Sequence, residues 1–265
     1  SWTWEHKTGN GYTGSGEVKP IEWLVVAKNH YNNPRNSVTV ISNELIGLYK
    51  FDGDDNQVWR DSDLRRWLNS TFYGSFGSDF KNAVLKTTVP NKDGSGKSYT
   101  TSDNVFIPST IEIGGDSKNT YTIGSDWGHF KDNNSRIAKI GGKANWYWTR
   151  SPDTRWSYTV RTVDSSGSIG CYDWVDNDSN GARVALNLES DILVYPDGTG
   201  RYSLRPIDVT PPTISINQNP INWTNGDVTL KASAIDKESG VKRIQKPNGS
   251  WVNGSTVTYI VNSKD

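Results

Sequence analysis

The stretch from Asn145 to Asn180 gathers side chains of the kind that recognise a ligand: Trp146, Trp148, Asp153, Arg155, Trp156, Tyr158, Tyr172, Asp173, Trp174, Asp176, Asn177, Asp178 and Asn180. Trp and Tyr bring large contact area with little rotamer entropy to lose, and short Asp and Asn side chains supply adaptable hydrogen bonds. These residues are the candidate ligand contacts. For Trp146, Trp148 and Trp156 a place in the core is an equal expectation. Polar residues alternate with the aromatics along short strands, however, so the whole set cannot be interior.

Other chemistry is weaker in this chain. Asp176-Asn177-Asp178-Ser179-Asn180-Gly181 follows the first half of a calcium loop, in which oxygens at alternate positions and a glycine turn wrap a hard cation. The second half departs from that pattern, because its twelfth position is Asn187 rather than a bidentate Glu. A solvated turn or ligand-contacting loop is the main expectation there, with calcium as the minor one. Asp236 and Glu238 are a second minor calcium candidate beside a plain polar turn. Cys171 is the single cysteine, which excludes an internal disulfide and a multi-cysteine zinc site, and a small buried hydrophobe in a strand is its expected role. His6, His30 and His129 lack the close spacing that sets two ligands on one helix face. Neither a catalytic group nor a resident cofactor is expected.

Length and composition bound the setting. A chain of 265 residues suffices for one large domain and a smaller one. Lys and Arg total 29 and so do Asp and Glu, with no basic stretch interleaved with aromatics, so nucleic acid is not an expected partner. Only 33% of residues are hydrophobic, yet there are 12 Trp and 12 Tyr, a balance that predicts a loop-rich protein leaning on aromatics. With no run of about 18 apolar residues, no membrane-spanning helix is expected. Ser1-Trp2-Thr3-Trp4 carries neither an initiator Met nor signal-peptide features, and reads as a processed or shortened end.

Several elements must position the candidate residues. Strand-like runs over 21–27 and 37–42 predict a hairpin across the Asn- and Pro-rich stretch 29–36. Leu64, Trp67, Leu68 and Phe72 recur at helical spacing behind Asp61 and Ser62, predicting a helix over 62–76 that buries Leu64, Trp67 and Leu68. A second helix is expected over 79–86 behind Ser78. From 88 to 143 no period is sustained, which predicts a long irregular region around 105–113. Strands are expected again over 146–150, 158–163, 168–174, 182–188 and 201–207. Pro211-Pro212 then stiffens a linker, beyond which Val228 to Ala234 alternates like a half-buried strand. About four strands fit beyond the linker, where a sandwich of the immunoglobulin type needs about seven, so the sequence is expected to stop partway through that module.

Four strings also carry a family resemblance: Trp59-Arg60-Asp61-Ser62-Asp63-Leu64-Arg65-Arg66-Trp67-Leu68-Asn69, Asn104-Val105-Phe106-Ile107-Pro108-Ser109, Trp148-Thr149-Arg150-Ser151-Pro152, and Gly181-Ala182-Arg183-Val184-Ala185-Leu186. In order and spacing they resemble a bacterial and phage domain family whose fold is that of C-type lectins. The same fold occurs in relatives of formylglycine-generating enzymes and in the variable proteins of diversity-generating retroelements. One departure is Arg183-Val184, where the family pattern has Arg-Pro before the closing strand. Pro211-Pro212, Trp223-Thr224-Asn225-Gly226 and the stretch Ala234 to Val241 separately resemble bacterial immunoglobulin-like repeats, which act as spacers on displayed proteins.

The expectation is therefore an α+β, C-type-lectin-like ligand-binding domain over residues 1–207, followed by an incomplete all-β immunoglobulin-like sandwich over 208–265. The resemblance implies recognition of a protein or glycan on a cell surface by an extracellular adhesin-like protein of a bacterial surface or phage particle. In retroelement variable proteins the last part of the lectin-like domain is diversified, and the Asn, Asp, Tyr and Ser content of 145–180 fits both that and any wet loop. Enzymes of the formylglycine-generating group use a cysteine pair, which is missing here, and their iron-dependent relatives a three-His cluster. That enzyme class is the alternative, beside a purely structural surface or tail component.

Overall fold

The computed structural model describes residues 3–4, 19–190, 194–196, 202–204, 211–222, 224–237 and 240–262. The chain divides into two units, Ser1–Leu204 and Arg205–Asp265. Of the linker expected over 208–212, residues 208–210 lie outside the described residues, as do 5–18 with His6, while Pro211 and Pro212 are described and exposed.

In the first unit, Trp23–Lys28 (β1) and Ser37–Ser42 (β2) pair as an antiparallel hairpin. The reversal uses Asn29 and Asn36 at φ of 51° and 54°, a left-handed region that Asn tolerates better than most residues. Asn29 Oδ1 also accepts a bond from the Ser37 N–H at 3.0 Å, which closes the loop.

Ser62 caps the following helix by accepting from the Arg65 N–H, satisfying one of the donors a helix start leaves open. The α-helix Asp63–Trp67 (α1) runs on as a π-helical turn, Leu68–Phe72. Leu64, Leu68 and Phe72, four residues apart, are fully buried. Trp67 is only half-buried and lies against Tyr49 and Phe72, with ring centroids 4.4 and 5.4 Å away, which corrects its expected full burial. Arg65 pairs with buried Asp103 at 2.7 Å, and Arg66 pairs with Asp63.

The second helix, Ser78–Ala83 (α2), is capped at Gly77 rather than Ser78. It stops before its expected end because Val84–Leu85 (β3) is extended and joins a sheet. The expected irregular region is also interrupted, since Thr87–Lys92 (β4) and Ser98–Asp103 (β5) form a regular hairpin. Its buried positions are Thr87, Val89, Asn91, Thr101 and Asp103, so the inward face is mostly polar and leaves no hydrophobic period to read.

Tyr147–Pro152 (β6), Thr159–Val163 (β7) and Cys171–Trp174 (β8) form an antiparallel sheet in that order. Ala185–Glu189 (β9) inserts between β2 and β3, giving a second antiparallel sheet of order β1-β2-β9-β3. The first unit is therefore β-rich, with several small sheets and short helices around one core that includes Phe51, Trp59, Leu68, Phe106, Tyr147 and Trp148.

The departure before β9 is at Val184, next to a firmly held Arg183. Its buried guanidinium lies over the rings of Phe130 and Tyr147, 5.2 and 5.7 Å from their centroids, and donates to the carbonyls of Ser42 and Arg136. The Val184 N–H donates to Ser42 Oγ at 3.1 Å, a bond that proline at this position lacks.

In the second unit, Thr213–Asn219 (β10), Val228–Ile235 (β11) and Thr256–Val261 (β14) form one antiparallel sheet, and Arg243–Gln245 (β12) pairs with Trp251–Asn253 (β13). Five strands are thus described where about four were expected. The buried cluster is small: Ala234, Ile244 and Val257, with Ala232, Val241 and Val252 packed on it. Ile214 and Ile216 of β10 stay exposed.

Candidate functional site

The sheet β6-β7-β8 carries or borders every candidate ligand contact, yet it sorts them by depth. All six residues of β6 are buried, so Trp148 belongs to the core, where its indole N–H donates to the Tyr49 carbonyl at 2.6 Å. Trp146 is half-buried just before the strand. Asp153 and Asn180 are buried as well. Trp148, Asp153 and Asn180 are therefore supports rather than ligand contacts, because a surface ligand cannot reach them.

The remaining aromatics converge on the outside. Trp156 is 49% exposed, Tyr158 38%, Tyr172 38% and Trp174 60%. Tyr172 and Trp174 project from the same side of β8, which follows from the two-residue period of a strand. Tyr158 lies between Trp156 and Trp174, with centroid separations of 6.3 and 5.9 Å. Arg155 spans to Tyr172, its guanidinium carbon 4.2 Å from the ring centroid.

Two carboxylates hold this face in shape from below. Asp153 accepts from Arg155 at 2.7 Å and from Arg161 at 2.9 Å, and its Oδ1 also caps the Arg155 backbone N–H. Burial pushes the Asp153 carboxyl up, but these bonds outweigh it and hold the group below the ordinary carboxylate range. The Gln57 side-chain amide, with its NH2 turned toward the connection between β6 and β7, lies 2.8 to 3.2 Å from the carbonyls of Asp153, Trp156 and Thr159. The turn that presents Trp156 and Tyr158 is thus tied to the interior at both ends.

Asp173 plays the matching part for the loop after β8. Its Oδ2 accepts from the side-chain amides of Asn177 and Asn180, both at 2.8 Å, and its Oδ1 accepts from the Trp174 N–H. Asp176 and Asp178 project from this loop, exposed. With Lys50, Asp173, Trp174 and Asn177 they line an open depression of about 390 Å³.

The calcium-type pattern at 176–181 does not close on itself. Asn180 is drawn inward to Asp173, and Asn187 is buried in β9, accepting from Thr39 Oγ1 and donating to Thr87 Oγ1. Among the described residues, no group of three His, Cys, Asp or Glu side chains comes together to hold a metal ion. His30 packs on Tyr31 and Trp127, and His129 on Phe130. Glu238 lies outside the described residues, so the pairing with Asp236 has no description. Cys171 is half-buried in β8 with its Sγ 3.6 Å from Asp164; burial, then the Asp164 charge, raise its thiol above the ordinary value.

One buried cluster lies beyond the sequence reading. Glu112 and Arg150, both inaccessible, form a bidentate pair with N–O distances of 2.5 and 2.6 Å. Tyr31 donates its hydroxyl to the same carboxylate at 2.8 Å, and the Ser109 N–H donates at 2.9 Å. Arg150 Nε and Nη1 donate to Asn91 Oδ1 and the Ile107 carbonyl. The available signal was the string around Arg150, which resembled the family without naming a partner 38 residues away.

A family model described as a domain of unknown function, DUF6273, matches residues 36–190, which is 155 of the 265 residues. The chain belongs to the DUF6273 family. The match contains β2, both helices, the Glu112–Arg150 pair and the whole aromatic face of this DUF6273 domain. No curated protein and no solved structure matches the chain.

Proposed function

We propose that the DUF6273 domain is a ligand-recognition module, with Trp156, Tyr158, Tyr172 and Trp174 as its contact surface and Arg155, Asp176, Asn177 and Asp178 as the polar complement. The observation that carries this reading is the exposure of four large aromatic side chains beside one another on one sheet edge and its adjoining turn. Solvent exposure of one such ring is ordinary, but a contiguous group rimmed by polar residues marks an interaction site. The scaffold beneath is rigid where it needs to be, since Asp153, Gln57 and Asp173 fix the backbone that presents the rings. Binding is favoured over catalysis because burial and the neighbouring Asp164 carboxylate raise the half-buried Cys171 thiol, which disfavours the thiolate a nucleophile needs.

The finer reading is a C-type-lectin-like domain on an immunoglobulin-like spacer, displayed outside a bacterial cell or on a phage particle, with a protein or glycan of a cell surface as its ligand. It rests on the four quoted strings and on a short-stranded, antiparallel second unit. The variable-protein hypothesis rests on the residue mix of 145–180 and on its position at the end of the domain.

A pull-down on cell-surface extracts with the full chain tests the assignment. The combined variant Trp156→Ala, Tyr172→Ala and Trp174→Ala should lose binding, by about 2 kcal/mol at each true hot spot, while its thermal midpoint stays near that of the parent. Undiminished binding by that variant sinks the assignment.

A further inference from the structure

Resting on the recognition reading above, we infer that the depression beside Trp174 is a metal-independent saccharide subsite. Its volume of about 390 Å³ lies in the range typical of small-ligand sites, roughly 300–1,000 Å³. Trp174, 60% exposed, is the one aromatic residue of its lining, and the rest is polar: Lys50, Asp173, Asp176, Asn177 and Asp178.

The hydrogen-bonding capacities of those groups define the ligand. Asp173 already accepts from Trp174 N–H, Asn177 and Asn180, so its first part is to position the loop. Asp176 and Asp178 are exposed carboxylates that only accept, and Lys50 is an exposed ammonium that only donates. A ligand that satisfies all three must donate and accept within a few ångströms. Hydroxyl groups do both. An isolated cation offers Lys50 no acceptor and meets its charge, whereas an anion meets two carboxylates. A pyranose ring fits further, because its C–H face is a flat apolar surface that can lie on an indole while its rim of hydroxyls reaches outward. No cation is required by this arrangement, because hydroxyl groups can donate to the carboxylates and accept from the ammonium.

The experiment is a solid-phase assay of the full chain on an array of neutral, amino and acidic oligosaccharides in the presence of EDTA, run beside the same assay on cell-surface extracts before and after mild periodate oxidation. The expected result is EDTA-resistant binding to neutral or amino sugars and periodate-sensitive binding to extracts. Trp174→Ala, and separately Asp176→Asn with Asp178→Asn, should weaken both at least tenfold with the thermal midpoint unchanged. Trp174-dependent binding to extracts that survives periodate overturns the saccharide subsite while leaving the recognition face in place, since the ligand is then a polypeptide. Array binding abolished by EDTA overturns it too. Binding to neither array nor extract overturns the subsite and the recognition reading together.

Discussion

Strands β6 and β8 lie one strand apart in the same sheet and draw on the same residue types, yet they do opposite work. In β6 and its partners, Trp148, Arg150 and Glu112 are buried with their polar atoms matched by named partners. At β8 and the connection between β6 and β7, Trp156, Tyr158, Tyr172 and Trp174 leave their rings in solvent, and only the groups beneath them are tied down. Aromatic and charged content is therefore no guide to role in this sheet. What distinguishes Trp148, Arg150 and Glu112 is that their buried polar groups have found partners inside the protein.

The largest effect should come from breaking the buried side of that comparison. Glu112→Ala leaves the Arg150 guanidinium inside the core without its counter-charge, at a cost of about 3–5 kcal/mol, and Tyr31 loses its acceptor as well. Urea denaturation of the variant should show a midpoint far below the parent, and an unchanged midpoint would mean that water or another group replaces the carboxylate. Trp67→Ala tests an intermediate depth. Full burial of a Trp corresponds to about 3–5 kcal/mol on truncation, so the half-buried ring against Tyr49 and Phe72 should cost roughly 1–3 kcal/mol. A loss equal to that of a core residue would show that the stack on Tyr49 matters more than its exposure implies.

Smaller still is the expected effect of Asp173→Ala, which releases Asn177 and Asn180. About 1–2 kcal/mol is expected for the lost bonds, together with faster amide exchange over 175–180. Acid should act on the interior first. His30 is held below its ordinary value of 6.5 by burial, so below that pH the unfolded chain takes up a proton that the folded chain does not, and stability falls as pH drops toward the folded value. Asp153, held below 3.8, adds a second loss as pH falls through its folded value. A stability profile from pH 8 to 3 that stays flat through the first window would remove His30 as a contributor. Smallest of all should be the stability change of Trp174→Ala, within about 0.5 kcal/mol, since exposed side chains away from buried features usually contribute little. Loss of binding without loss of stability is the signature that would sharpen the contrast between the strands.

Local periodicity made much of the frame legible. The hairpin of β1 and β2 and the Ser62-capped helix with Leu64 and Leu68 inward follow from short apolar runs and helical spacing, and β6 and β7 from β-branched and aromatic runs between turn residues. The residue types of 145–180 were legible as a list, but not which of them the fold exposes. The hairpin of β4 and β5 was not, because its inward face is Thr, Asn and Asp and is stabilised by side-chain bonds such as Asn91 to Thr101 and Arg65 to Asp103. Long-range pairing alone decided the roles within the list. Glu112 meets Arg150, Asp173 meets Asn180, and Trp148 meets the Tyr49 carbonyl across 99 positions, so burial of one Trp and exposure of another 26 residues later follow from which carbonyls and amides the fold brings near. A one-dimensional pattern encodes which faces of an element are apolar, whereas partners for buried polar atoms exist only once the chain has closed on itself.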